Sequence, residues 1–300
     1  MIEFHPITLA DKEWIDRHLR CEDSPSADFN FGNMFIWDHY YHQQVCDLGG
    51  RTLTVEHPEG EEFFVYPIGC GPLRPAVEAM RTYAAAGGWP FVLYGVTARQ
   101  RELLEAEFPG CFAFTESEDY ADYIYEAEKL ATYAGKALHG KKNHCNRFEA
   151  EHNWRFEKLT WDLFPACEEM LHTWLEDNAG RLEDSIVYEQ EAIRRAFRYY
   201  EQLELEGGVL IADGEILGFT FGEMTSSDAF NVHIEKAAAD VNGAYPMVCR
   251  ELVRMLLKEH PGLKWINRED DMGLEALRKS KQSYKPAYLL TKYAATWIGD

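Results

Sequence analysis

Apolar and polar positions recur with two different periods along the chain, and each change of period marks a new element. After a short N-terminal strand, Thr8 and Asp11 make a capping-box pattern ahead of a helix. The aromatic run Phe29, Phe31, Phe35, Trp37, Tyr40 and Tyr41 reads as core packing. Strands are expected near 51–56 and 62–67, a helix near 75–86, a strand at Phe91–Val96, a helix near 97–107 and strand-like segments up to Tyr125. Helices near 161–177 and 187–204 lead into GGVLIADGEILGFTFGE, where Asp213-Gly214 between alternating apolar runs predicts a tight hairpin. The strand FNVHIEKA, a helix near 243–259, the strand LKWIN, a helix over 273–282 and the strand-like AYLLTKYAATW complete the pattern.

Both halves therefore read as hairpin, helix, strand, helix, strand, which points to a duplicated module. On this reading residues 1–130 form an N-terminal module, 131–154 a basic linker, and 155–300 a C-terminal module carrying the active crevice. A chain of 300 residues has room for two such cores.

Composition narrows the function more than the fold. The 46% hydrophobic fraction, with 17 Phe, 16 Tyr and 8 Trp, excludes disorder. A net charge of −21 repels DNA and anionic lipid at long range. Against that background Lys129 to Phe148 carries five Lys or Arg and no acid. The seven cysteines, at 21, 46, 70, 111, 145, 167 and 249, include no C-x-x-C, so neither a disulfide framework nor a thiolate zinc site is expected. That usage fits a reducing cytosol. The N-terminus has no signal-peptide pattern, and no run approaches the roughly 18 apolar residues of a membrane span, so a cytoplasmic protein is expected.

The segments YIYEAEKLATYAGKALHGKKNHCNRF, VHIEKA, NGAYP and INREDDMGLEALRKSKQSYKP resemble soluble bacterial proteins related to the C-terminal domain of phosphatidylglycerol lysyltransferase. The resemblance covers essentially the whole chain. It implies an α/β (α+β) fold of two tandem GNAT-like acyltransferase modules, each a mixed, mainly antiparallel sheet flanked by helices, related to Fem-type aminoacyltransferases. It also implies transfer of an aminoacyl or acyl group, with aminoacyl-tRNA or acyl-CoA as donor, to an amine or hydroxyl acceptor. Small-molecule or aminoacyl substrates and a tRNA acceptor end are the partners so implied, with no further cofactor required. The lysyltransferases carry transmembrane segments and this chain shows none, which leaves a lipid acceptor open.

In NVHIEKA, period-two alternation places Asn231, His233 and Glu235 on one sheet face. Glu235 or His233 is then the candidate base that relieves an amine nucleophile of its proton. A polar face merely covered by a neighbouring element is the competing reading. Asn267, Arg268, Glu269, Asp270 and Asp271 follow the strand LKWIN, where a strand end faces a ligand crevice. Helix capping accounts equally well for Asp270 or Asp271. Glu235, Asp270 and Asp271 together suggest selection of a cationic group. Tyr245 in NGAYP and Lys279 join the substrate-binding candidates, although Arg278, Lys279 and Lys281 also suit the C-terminal end of a helix dipole. Tyr284 is placed as a proton donor to the departing group.

Lys136, Lys141, Lys142, Asn143, His144 and Arg147 are candidates for holding phosphates of a tRNA or phosphorylated donor; a solvated linker helix is the alternative. AADVNGAYP has a single glycine and no basic residue where a CoA pyrophosphate would need backbone donors, so a donor other than acetyl-CoA is favoured. The GCG at 69–71 runs into Pro72 and does not open a dinucleotide-binding helix. His39 and His42 lack a third metal ligand, no metal site is expected, and no G-x-S-x-G occurs. A non-catalytic small-ligand-binding protein and an acyl-CoA-dependent N-acyltransferase remain the alternatives.

Overall fold

The capping box at Thr8, whose backbone and hydroxyl both bond to Asp11 at 2.8 Å, starts the first helical segment. The computed structural model describes residues 2–116, 118–178 and 185–299. In chain order the first part runs β1 (His5–Pro6), α1 (Lys12–Glu22), α2 (Phe31–Tyr41), β2 (Gln44–Asp47), β3 (Arg51–Glu56), β4 (Phe63–Gly69), α3 (Leu73–Gly87), β5 (Val92–Thr97), α4 (Ala98–Glu107), β6 (Phe112–Glu116) and β7 (Asp122–Glu126). Then come α5 (Ala127–Thr132), α6 (His139–Glu151), β8 (Trp154–Lys158), α7 (Phe164–Asn178), α8 (Ser185–Arg198), β9 (Glu206–Ala212), β10 (Glu215–Met224) and β11 (Ala229–Ala237). The chain closes with α9 (Ala244–Glu259), β12 (Trp265–Asn267), α10 (Glu275–Ser283), β13 (Tyr288–Leu290) and β14 (Lys292–Trp297).

The strands form two mixed sheets flanked by helices. Their orders are β1-β2-β3-β4-β5-β14-β6 and β13-β7-β12-β11-β10-β9-β8. The pairs β4–β5 and β11–β12 are parallel and the other pairs antiparallel. The Asp213-Gly214 hairpin forms with both residues at positive φ, 55° and 94°, and Glu215 pairs directly with Ala212. That double left-handed turn suits the twist of the flanking strands.

Three differences from the sequence reading bear on the site. First, the modules are not contiguous at 1–130 and 155–300. Strand β7 lies in the second sheet between β12 and β13, while β14, the last strand of the chain, lies in the first between β5 and β6. Hydropathy specifies that a strand is half-buried and leaves open which sheet accepts it, so this exchange has no local signature.

Second, the basic segment is not a detached linker. Leu130, Tyr133, Leu138, Cys145 and Phe148 are buried in one cluster with Met247, Val248, Leu252 and Leu256 of α9. Its basic face is the outside of a core element.

Third, Cys21 and Cys70 form a disulfide, with Cα atoms 5.9 Å apart, between α1 and the turn after β4. Distance in sequence hid a pair that the β4–α1 packing brings together.

The remaining core joins the two parts. Phe164 and Phe197 stack at 4.5 Å, Phe197 meets Phe219 and Phe221 of β10, and this cluster is continuous with Phe31 of α2 and with Phe64 and Leu93 of the first sheet. Among the described residues, no helix is long and apolar enough to cross a membrane.

Candidate active site

The loop after β12 hangs at the junction of the two sheets, and a break in β11 decides which side each polar residue faces. Phe221 pairs with Ile234 and Gly222 with Val232, so His233 is bulged out of register. Gly222 permits it: a Cβ there would lie 1.8 Å from the Asn231 carbonyl oxygen. A bulge inserts one extra residue and reverses the alternation beyond it. Asn231 and His233 therefore turn toward the sheet junction, whereas Glu235 faces the side of α9. The expectation that these three share a face is overturned, because period-two counting assumes an unbroken ladder.

On the junction side, His233 is wholly buried, with Nε2 3.0 Å from Glu223 and Nδ1 3.1 Å from Glu269. Burial alone would lower its pKa; the hydrogen bonds and charges of the two carboxylates outweigh this and lift it to about 9. An imidazolium clamped between two acids is a strut and a poor base. Asn231 donates to Asn30 at 2.9 Å and to Glu269 at 3.0 Å. Asn267 donates to Asp122 at 2.9 Å and to the Pro25 carbonyl at 2.8 Å, and accepts from the Glu269 N–H at 2.7 Å. Beside it Lys292, 4% exposed at its side chain, lies 2.9 Å from Asp28 and 2.8 Å from Asp122. The second of these ion pairs joins the first residues of the exchanged strands β7 and β14, and the first ties them to the segment before α2.

On the α9 side, Glu235 and Arg268 pair at 2.7 Å, with side chains 9% and 12% exposed. The Arg268 guanidinium lies 4.4 Å from the Tyr284 ring centroid, and Lys141 Nζ lies 3.6 Å from the same ring. Burial raises the Glu235 carboxyl, with Arg268 and Lys141 opposing. Burial also lowers Lys141 to about 8, with the Arg268 charge adding to the effect. Glu235 Oε2 and Arg268 Nη1 are both buried without a hydrogen-bond partner. An unmet acceptor on Glu235 and an unmet donor on Arg268 call for a further partner, a water or a ligand. Tyr284 is 2% exposed, and burial pushes its phenol well up, so it stands protonated.

The other expected residues divide between scaffold and surface. Asp271 accepts from Tyr123 at 2.6 Å and from Arg278 at 2.8 Å, and Arg278 holds it at about 2; it is structural. Asp270 is half-buried and lifted to about 6 by burial. Lys281, brought down to about 8 by burial, donates to the carbonyls of Arg268 and Asp270 and ties down the loop. Tyr245, in the first turn of α9, accepts from Trp174 at 3.1 Å and packs against the core of the second sheet. Lys279 is exposed and paired with Glu275 at 2.6 Å. Of the basic segment, Lys141 alone of the named cations reaches Tyr284 beside the Glu235–Arg268 pair. Lys136, Lys142 and Asn143 are exposed, and Arg147 pairs with Glu151 at 2.8 Å.

Asp28, Asn30, Asp122, Glu223 and Lys292 are the site residues that sequence reading missed. The faint signal was charge inside strand-like runs, as in ADYIY and LLTKYAATW.

Residues 22–296 match the family described as phosphatidylglycerol lysyltransferase, C-terminal. The chain belongs to this family. A conserved protein of unknown function from Bacteroides thetaiotaomicron is 33% identical, with a TM-score of 0.93 over 99% of this chain and 100% of its own. The C-terminal domain of a putative lysylphosphatidylglycerol synthetase from Agrobacterium fabrum shares the fold at 15% identity and a TM-score of 0.64, over 97% of this chain and 93% of its own. A tandem GNAT protein from the clavulanic acid biosynthesis pathway does so at 10% identity and 0.52, over 100% and 99%. An uncharacterised protein of Mycoplasmoides gallisepticum is 26% identical over 182 residues, 59% of this chain and 56% of that protein's length. The two sheets thus share the fold of tandem GNAT proteins.

Proposed function

We propose that the chain moves an aminoacyl or acyl group onto an amine or hydroxyl acceptor in the crevice between α6, α9 and the second sheet. The observation that carries this reading is the buried Glu235 Oε2 without a partner, beside an equally unpartnered Arg268 Nη1. With its carboxyl raised by burial, Glu235 is suited to take the acceptor's proton, and Arg268 to orient an oxygen of the donor. Tyr284, stacked between Arg268 and Lys141, supplies a protonated phenol on the same wall.

Packing at the start of α9 supports a donor other than acyl-CoA. A pyrophosphate would need the free backbone donors of that helix N-terminus. Instead α6 lies against it: a Cβ on Gly243 would stand 2.6 Å from the His144 carbonyl oxygen, and His144 bonds to Asn242 at 2.6 Å. Aminoacyl-tRNA is the donor this reading favours, with Lys141 at the crevice and Lys136 and Lys142 outside it as phosphate contacts.

The test incubates the protein with radiolabelled aminoacyl-tRNA or acetyl-CoA and a panel of amine and lipid acceptors. Label should leave the tRNA, and Glu235→Gln should lower the rate by about a hundredfold or more in a chain that still folds, its melting temperature lowered because the buried Arg268 guanidinium loses its counter-charge. Full turnover in that variant, or transfer from acetyl-CoA alone, would overturn the assignment.

A further inference from the structure

One group of ligating side chains lies away from the crevice and takes no part in the proposed transfer. Among the described residues, Glu206, Glu259 and His260 bring two carboxylate oxygens and a ring nitrogen within 4.8 Å of one another. Sequence spacing does not announce them, because Glu206 opens β9 and stands 54 positions before His260.

The end of α9 is what makes them converge. Neighbouring helical side chains point about 100° apart, so Glu259 and His260 would diverge on a continued helix. At His260 the backbone leaves the helix, with φ −120° and ψ 83°, and the ring meets β9. Its Nε2 lies 2.9 Å from each oxygen of Glu206. Zinc bonds of about 2.1 Å to nitrogen and oxygen set tetrahedral ligand atoms roughly 3.4 Å apart, so small rotations of the two glutamates suffice to close such a site. Each of the three side chains keeps 29% of its surface accessible, which lets an ion enter and water fill a fourth position.

A second observation is independent of the ligand set: this place already draws a cation. Lys158, the last residue of β8, puts Nζ 2.7 Å from Glu259. The hydrogen bond to Glu259, with the charges of Glu259 and Glu206, raises the Lys158 pKa. The negative end of the α9 dipole adds to the attraction. Yet Lys158 is 64% exposed at its side chain and brings one charge to two carboxylates, so it can swing into solvent when a divalent ion arrives.

We propose that Glu206, Glu259 and His260 bind a divalent transition-metal ion, zinc foremost, that clips the end of α9 to the start of β9. One imidazole with two carboxylates suits zinc, whereas magnesium takes oxygen ligands. The 16 residues of α9 span about 24 Å, and the clip lies at the opposite end from Gly243, where α6 packs. Its role is structural and does not rest on the transferase reading.

Calorimetry on the full chain, first stripped with a chelator, tests it with zinc alone and magnesium alone as probes. One equivalent of zinc should bind saturably and raise the melting temperature by several degrees, with magnesium at least tenfold weaker. Glu206→Gln and His260→Ala should each weaken zinc binding at least tenfold, and Lys158→Ala should tighten it by removing the competing ammonium. Glu176→Gln, in the exposed His172–Glu176 pair of α7, controls for zinc held at surface histidines and should bind as the wild type does. Should His260→Ala fail to fold, Glu206→Gln, which keeps the side chain's size, decides alone. Absent zinc binding, wild-type affinity in Glu206→Gln, or an equal loss in Glu176→Gln would overturn the proposal. None of these measurements depends on transfer.

Discussion

His233 and Glu56 belong to opposite charge types, yet both make the protein less stable as pH rises. His233 holds its proton to about 9 in the fold, against an ordinary 6.5. Its contribution is complete below 6.5 and lost as pH climbs through 9. Glu56 keeps its proton to about 8, against 4.5, so the folded state binds more protons than the unfolded one throughout that window. Stability then falls as pH rises from 4.5 toward 8. Each group adds a slope of at most about 1.4 kcal/mol per pH unit. Lys141 and Lys281, lowered to about 8, oppose this only above pH 8. The urea midpoint should therefore drop between pH 5 and pH 8, and Glu56→Gln should make the drop shallower. A midpoint that rises over that range would contradict both assignments. Of His233 and Glu56, sequence reading singles out His233 for its place in NVHIEKA, but it cannot supply the two carboxylates that change a base into a strut.

Among elements, β11 and α1 show how local order and tertiary contact divide the work. The strand FNVHIEKA, the helix after it and the Asp213-Gly214 hairpin are legible because their signals are periodicity and turn chemistry. The bulge at His233 is not legible, since it depends on Gly222 in a neighbouring strand approaching Asn231. The Cys21–Cys70 link ties the end of α1 to β4 across a separation of 49 residues. From α1 the chain enters the segment carrying Asp28 and Asn30, so the link also anchors one wall of the site. Cys70→Ser should cost about 2–4 kcal/mol in denaturant unfolding under non-reducing conditions, and the difference should vanish once the wild type is reduced. Equal midpoints without reductant would show that the link does not form in solution.

For the whole molecule, the strand exchange makes the two modules one folding unit. Without β14 the first sheet loses the strand between β5 and β6, and without β7 the second loses the one between β12 and β13. The ion pairs of Asp28, Lys292 and Asp122 sit at the starts of those two strands, where removing one charge strands the others in a buried setting. A fragment of residues 1–130 should show no cooperative thermal transition, while the full chain should unfold in a single one. A sharp transition in the fragment would mean that the exchange is not needed for the first module to fold.

The sequence by itself determined many of the elements, the tandem α/β plan and the family, because periodicity, turn residues and local motifs act over a few residues. Only the tertiary structure decided that Glu235 pairs with Arg268 across the strand from His233, that Asp271 serves Arg278, and that Lys141 alone of the named basic cluster reaches Tyr284. It likewise decided that β7 and β14 trade sheets and that Lys292 meets Asp28 and Asp122. Each of these depends on groups far apart in the chain meeting in a medium where charge must be matched, and no local pattern records its distant partner.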